Sequence, residues 1–382
     1  MRIITLALIL SSASMAGVSD ASSENVKKNA GSSLQPGQLI TIRESTRNKL
    51  PDAGENYFVS YLAPTPTGGE AVLYGQISLP KSPPPEGGYP VISWGNGTTG
   101  NAPQCAPSIV SSYAVEYLNE WVKRGYAVVR TDYEGWGADG PRLELNGKSN
   151  ADAMGYLVAA AHELTDQLSD DWIAIGHSLG GGAALWTASQ SYKYNLKGAI
   201  ALAPVGPGVL EFIDGIMQGK PIGHFTQQFV SVTLLGAQAT DPSIDIDRLA
   251  TGEMKPQLEA MRDSACLGDP VFMNFPHLQP GQYLKPGEDY DKLVSFLKAQ
   301  DPSSLKLNVP VLIAQGTDDE TTVTPSTTEK MVSSLCASDA TVDYKVYKAA
   351  DHRGVITASS MDAFQFAETV FSGKTPKSTC QE

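Results

Sequence analysis

The 382-residue chain lacks any run of 18 or more consecutive apolar residues, the length a membrane-spanning helix requires, so no integral membrane span is expected. Basic residues are also scarce, with 28 Lys+Arg against 41 Asp+Glu and a net charge of −13. An acidic surface repels phosphate backbones, which argues against nucleic acid as a partner. Cysteine is limited to Cys105, Cys266, Cys336 and Cys380, far apart and with no C-x-x-C pair, a spacing unsuited to a metal site. His162-Glu163 opens like the zinc pattern H-E-x-x-H, but Asp166 stands where the second histidine belongs. No metal and no other cofactor is expected. There is no internal repeat and no low-complexity tract.

The N-terminus carries Arg2, a short apolar run from Ile3 to Leu10, and mostly small residues from Ser11 to Gly17. Ser14-Met15-Ala16 is an acceptable small-x-small cleavage site, with Ala21 as a second, so residues 1–16 are expected to be a secretory signal peptide. The protein is therefore expected to be secreted or periplasmic. In an oxidising compartment an even number of distant cysteines reads as two disulfides. Residues 17–55, rich in Ser, Asn, Gly and Lys, show little periodicity and are expected to form a loosely structured leader.

Beyond Tyr57 short apolar runs alternate with helical periodicity. Strands are predicted at Ala71–Leu79, Pro90–Trp94, Tyr126–Thr131, Asp171–Ile175 and Lys197–Leu202, with helices within 109–122, 150–164 and 179–192. The rhythm breaks between about Val205 and Leu305. It resumes with strands at Val309–Gln315 and Val342–Tyr347 and helices at 325–335 and 359–371. Strands separated by helices of this length imply an α/β fold with a mainly parallel central sheet flanked by helices. The catalytic domain is expected over 56–204 and 306–382, interrupted by a mostly helical cap over 205–305.

Gly176-His177-Ser178-Leu179-Gly180 follows the strand ending at Ile175 and opens a helix. A serine hydroxyl becomes a nucleophile when a base takes its proton, and a sharp strand-to-helix turn presents it clear of the sheet. The glycines spare room in that turn, and the free N–H groups of the new helix favour a developing oxyanion. Ser178 is thus the candidate nucleophile, and the amide of Leu179 one candidate oxyanion donor. The loop after Trp94, Gly95-Asn96-Gly97-Thr98-Thr99-Gly100, is small and polar; Thr98 and Thr99 are both candidates for the second donor. Among five histidines, His162, His224 and His277 fall in a helix or in the cap, and His177 is tied to the turn. His352 alone lies in a loop after the last predicted strand, where a general base could reach Ser178. Three adjacent carboxylates, Asp318, Asp319 and Glu320, follow the strand ending at Gln315, and one of them is expected to orient His352. Asp351 adjoins His352 in sequence, so the side chains diverge and it is expected to be structural.

Ser93-Trp-Gly-Asn-Gly-Thr-Thr-Gly100, Cys105-Ala-Pro-Ser108, Gly125-Tyr-Ala-Val-Val129 and Thr131-Asp-Tyr-Glu-Gly135 together resemble the secretory lipase family of α/β-hydrolases. The serine turn, Gln315-Gly-Thr-Asp-Asp319 and Asp351-His-Arg-Gly354 continue the likeness, which runs from about Tyr57 to Phe371. The resemblance implies an α/β-hydrolase fold and hydrolysis of small-molecule or lipid esters, with 205–305 as the cap over the acyl pocket. It favours Asp319, three residues beyond Gly316, as the acid, with Asp318 as the runner-up. Many relatives carry His-Gly-Thr-Thr-Gly where this chain has Asn96, which bears on the oxyanion geometry. The resemblance also supports pairing Cys105 with Cys266, fastening cap to catalytic domain, and Cys336 with Cys380. Aryl (feruloyl-type) or acetyl esters are alternative substrates for the same machinery, and a serine peptidase is a further alternative. A binding protein that had lost catalysis would lack a member of the triad, and none is missing.

Overall fold

The structure, a computed structural model, describes residues 35–110, 112–137, 140–220, 226–279, 281–320 and 322–381. The expected signal peptide, most of the expected leader up to residue 34, and His224 lie outside the described residues. Among the described residues nine strands form one sheet: β1 (Leu39–Glu44), β2 (Ala53–Pro64), β3 (Glu70–Pro80), β4 (Tyr89–Gly95), β5 (Ala127–Thr131), β6 (Leu168–His177), β7 (Asn195–Leu202), β8 (Val311–Gly316) and β9 (Val342–Tyr347). Their order is β1-β2-β3-β5-β4-β6-β7-β8-β9. β1, β2, β3 and β5 pair antiparallel, and every pair from β5 onward is parallel.

Helices α1 (Val115–Lys123), α2 (Gly147–Leu164) and α3 (Leu179–Ala188) connect the first parallel strands. Between β7 and β8 lie α4 (Gly208–Met217), α5 (Thr226–Thr240), α6 (Ile246–Leu249), α7 (Lys255–Asp263) and α8 (Glu288–Ala299). α9 (Pro325–Ala337), α10 (Gly354–Ala358) and α11 (Ser360–Phe371) follow β8 and β9 and complete the α-helices among the described residues.

The central strands are apolar because both faces of a parallel sheet are covered. Every residue of β5 and β8 is buried, as are the last six of β6. On one face Val91, Val129, Ala174 and Ile313 pack against Met154, Leu157, Ala184 and Met331 of α2, α3 and α9. On the other, Ile92, Val128, Ile175 and Leu312 pack against Leu118, Trp121 and Phe364 of α1 and α11. The insertion between β7 and β8 has its own core, which includes Ile213, Leu234, Met261, Tyr283 and Leu293.

One sequence expectation needs correction. The stretch expected to be a loose leader through residue 55 contains β1 and the start of β2. β1 is an edge strand with one partner, so it needs only one apolar face and shows no continuous hydrophobic run. Its attachment is specific: Leu39 N–H donates to Glu163 Oε2 at 2.8 Å. That bond also accounts for Glu163, while His162 stacks on Tyr194 with centroids 3.6 Å apart. Among the described residues, no group of three or more His, Cys, Asp or Glu could hold a metal ion. No described helix is long and apolar enough to cross a membrane. Cys105 is joined to Cys266 and Cys336 to Cys380.

Candidate active site

β6 ends at His177 and α3 begins at Leu179, so Ser178 alone makes the turn. Its backbone lies at φ 58° and ψ −118°, a conformation that costs a residue with a side chain on the order of 1–3 kcal/mol. Three backbone bonds hold it there. Ser178 N–H donates to Leu202 O at 2.9 Å, and Ser178 O accepts from Gly182 at 3.1 Å and Val205 at 2.9 Å. The flanking glycines are required by close approach. A Cβ on Gly176 would stand 1.9 Å from Gly180 O, and one on Gly180 2.0 Å from Gly95 O. The turn therefore presses β6, α3 and the loop after β4 together. Leu179 is the first residue of α3, so its amide is one of the helix's unsatisfied N–H groups.

β8 and β9 bring the other chemistry to the same, carboxyl-terminal edge of the sheet, where parallel α/β sheets bind ligands. Asp319 Oδ2 lies 2.6 Å from His352 Nδ1. Its other oxygen accepts the amides of Val323 at 3.1 Å and Thr322 at 3.3 Å, which fixes the carboxylate plane. Asp319 is 2% exposed, whereas Asp318 is exposed and takes the Thr317 hydroxyl at 2.8 Å. Asp351 caps the turn into α10, accepting from Arg353 and Gly354 amides at 3.2 and 2.6 Å. Ser178, Asp319 and His352 line one cavity, together with Gly97 and Thr98. Among the described residues no hydrogen bond joins the Ser178 hydroxyl to His352. Such bonds are often long without substrate and tighten when it binds.

The loop after β4 is fixed by residues distant in sequence. Trp94 Nε1–H donates to Asn96 Oδ1 at 2.8 Å, and the Tyr133 hydroxyl donates to Asn96 O at 2.8 Å. Asn96 is thus used from both ends to hold the loop. Thr98 and Thr99 part company here. Thr98 faces both cavities that Ser178 lines, and its hydroxyl donates to Glu144 Oε1 at 3.1 Å. Thr99 lines neither cavity, and its carbonyl accepts from Leu267 N–H at 2.9 Å.

The second cavity runs from Ser178 between the sheet edge and the insertion. Its walls include Val205, Phe212, Phe229, Val232, Val323 and Met331. Glu144 is the carboxylate in this lining; Arg142 Nε lies 3.2 Å from its Oε2, an ion pair not aligned as a hydrogen bond. Burial pushes the Glu144 carboxyl up and the Arg142 guanidinium down, each opposed by the other's charge.

His177 and Tyr113 are neighbours that sequence reasoning did not use. His177 Nε2 lies 2.7 Å from His352 O, and its Nδ1 lies 2.8 Å from the Tyr113 hydroxyl. Burial, then the charge of His352, pushes the His177 imidazole down to about 3. Tyr113 and Glu144 carried no motif signal, since each acts through a contact remote in sequence, and Arg142 enters only as the partner of Glu144.

A family profile described as serine aminopeptidase, S33, matches residues 110–248, which include the Ser178 turn but neither Asp319 nor His352. Comparison with curated proteins gave no match. Among solved structures, lipase A of Candida antarctica is similar at a TM-score of 0.75 and 20% identity, covering 91% of this chain and 85% of that one. The rice cell wall degrading esterase LipA of Xanthomonas oryzae is similar at 0.70 and 17%, covering 89% and 100%. A putative hydrolase of Legionella pneumophila is similar at 0.72 and 18%, covering 86% and 98%. With its mainly parallel sheet and the serine turn at the end of β6, the chain has the α/β-hydrolase fold.

Proposed function

We propose that this protein is an exported carboxylic ester hydrolase of the lipase/esterase type, working through an acyl-enzyme on Ser178. Ser178 Oγ attacks the ester carbonyl while His352 Nε2 takes its proton, and Asp319 holds Nδ1–H and steadies the imidazolium that forms. The amides of Leu179 and Thr98 receive the oxyanion; Thr98 is preferred to Thr99 because it shares both cavities with Ser178. His352 returns its proton to the leaving alcohol, and water then enters by the same steps to release the acid. The observation that carries this reading is the 2.6 Å contact of Asp319 with His352 in a cavity that also holds the strained Ser178.

The apolar cavity beside Ser178, walled by Val205, Phe212, Phe229 and Val232, suits an acyl chain. The peptidase reading draws on the family profile's description. An aminopeptidase would need a free carboxylate for the substrate's ammonium, and in the apolar cavity the carboxylate, Glu144, is instead held by Arg142 and Thr98. Hydrolysis of p-nitrophenyl esters from acetate to palmitate, beside aminoacyl p-nitroanilides, tests the choice, with Ser178→Ala as the control. The expected result is ester turnover best at intermediate or long acyl chains, lost by at least about 10³-fold in Ser178→Ala. Turnover of the anilides with none of the esters would overturn it.

A further inference from the structure

His177 is buried at the end of β6, and its imidazole is neutral. A neutral ring has one N–H and one lone pair. Nε2 faces a carbonyl, His352 O at 2.7 Å, which only accepts, so Nε2 carries the hydrogen. Nδ1 must then accept, and the Tyr113 hydroxyl at 2.8 Å donates to it. With its proton so committed, the Tyr113 oxygen accepts Gly97 N–H at 3.0 Å. Each donor in this chain thus has one acceptor and one direction. It links the loop bearing Thr98 to the backbone of His352, two segments far apart in sequence.

The surroundings hold the chain in place. The Arg353 guanidinium lies over the Tyr113 ring at 4.9 Å. The rings of Tyr113 and His177 meet edge to face at 5.4 Å, and those of His177 and His352 are 4.6 Å apart. A Cβ on Gly97 would stand 2.7 Å from the Tyr113 hydroxyl, so the loop rests directly on that oxygen. The charged or titratable groups about His177 are His352 and Arg353, with Asp318, Asp319 and Asp351 lining the same cavity.

We propose that Tyr113 and His177 are positioning residues, a hydrogen-bonded strut that sets the distance between the oxyanion loop and His352. The proposal rests on the esterase reading given above. Neither residue donates or accepts a proton in the reaction; the strut keeps Thr98 and His352 in register while charge moves between them.

Short-chain ester kinetics on wild type, Tyr113→Phe, His177→Phe and His177→Gln provide the test. Tyr113→Phe keeps the ring under Arg353 but leaves Gly97 N–H and His177 Nδ1 unpaired. Misplacement of reacting groups by about 1 Å costs about 100-fold, so kcat should fall about 10-fold to 100-fold with KM within about twofold. His177→Gln, which can still donate to His352 O, should recover at least about 10-fold over His177→Phe. Unchanged kcat in Tyr113→Phe, or His177→Gln no better than His177→Phe, would overturn the strut. The esterase reading fails separately, if wild type has no activity on any ester. In that event ¹⁵N spectra of the His177 ring still decide: a neutral ring protonated at Nε2 from pH 5 to 9 supports the strut, and a ring protonated at Nδ1 refutes it.

Discussion

Asp319→Asn replaces one oxygen by an NH₂ group at a carboxylate that is 2% exposed and 2.6 Å from His352 Nδ1. The fold should tolerate the change, because Oδ1 still accepts the Val323 and Thr322 amides. The chemistry should not. An amide NH₂ donates to Nδ1, which places the imidazole hydrogen on Nε2, where the proton of Ser178 has to go. The negative charge that steadies the imidazolium is lost as well. Opposite charges about 3–4 Å apart at an effective dielectric of about 20 attract by roughly 4–6 kcal/mol. At 1.36 kcal/mol per decade, that is about 10³-fold to 10⁴-fold in rate. The assay is kcat and KM on p-nitrophenyl butyrate at pH 8, with melting temperature as the control for folding. KM should stay within about twofold, since Asp319 is placed behind the base and not against the ester. Asp318→Asn is the paired control: it is exposed, its contact with Thr317 survives in the amide, and it should cost less than about threefold. Equal damage from the two variants, or more than a tenth of wild-type kcat in Asp319→Asn, would refute the assignment of the acid.

Acid should destabilise the fold partly through His177, whose folded value of about 3 lies below the ordinary 6.5. The unfolded chain then binds the extra proton, so the contribution is complete above 6.5 and is lost as pH falls towards 3, up to about 5 kcal/mol. His177→Gln should therefore show a shallower fall of melting temperature between pH 7 and 4 than wild type, and parallel curves would count against it. Removing the Cys336–Cys380 bond as a double serine variant opens a loop of 44 residues, worth about 4 kcal/mol in the chain-entropy picture. Urea unfolding measures this, and a loss below about 1 kcal/mol would mean the bond adds little. Val232→Trp fills the apolar cavity from α5 and should lower kcat/KM for octanoate at least about tenfold relative to acetate. An unchanged chain-length profile would place the acyl chain elsewhere.

The central sheet was legible in the sequence because β4 to β8 are covered on both faces and show as continuous apolar runs. The antiparallel edge was not. In β2 Gly54 and Glu55 are exposed and Asn56, Tyr57 and Phe58 half-buried before Val59 enters the core, so the strand begins inside what reads as a polar leader. α1 starts at Val115, later than the helical spacing from Ile109 suggests, because residues before it are occupied by short turns around Cys105. In the candidate site, positions set by local backbone chemistry were readable: the Ser178 turn, and the loops after β8 and β9. The choice between Thr98 and Thr99 was not. It depends on Glu144 and Leu267, 46 and 168 residues away from their partners. His177 looked like part of the turn because its partners, Tyr113 and the His352 carbonyl, are 64 and 175 residues distant.

The bond between Cys105 and Cys266 closes a span of 161 residues, and beside it Leu267 N–H meets Thr99 O at 2.9 Å. Gly100, at φ 122°, brings its backbone into this junction, where a Cβ would lie 3.1 Å from both Cys105 Sγ and the Cys266 Cα. The helical insertion is therefore tethered at its two chain crossings and riveted once between them. A flap hung in this way has no free tip to lift. α5, which walls the apolar cavity, is itself bonded beside the rivet, where Gln228 Oε1 accepts Gly268 N–H at 2.6 Å, and the segment around Leu267 must carry Thr99 with it. A bulky alcohol pressing on Leu267 or Gly268, which border the Ser178 cavity, would load the Thr98–Thr99 loop directly.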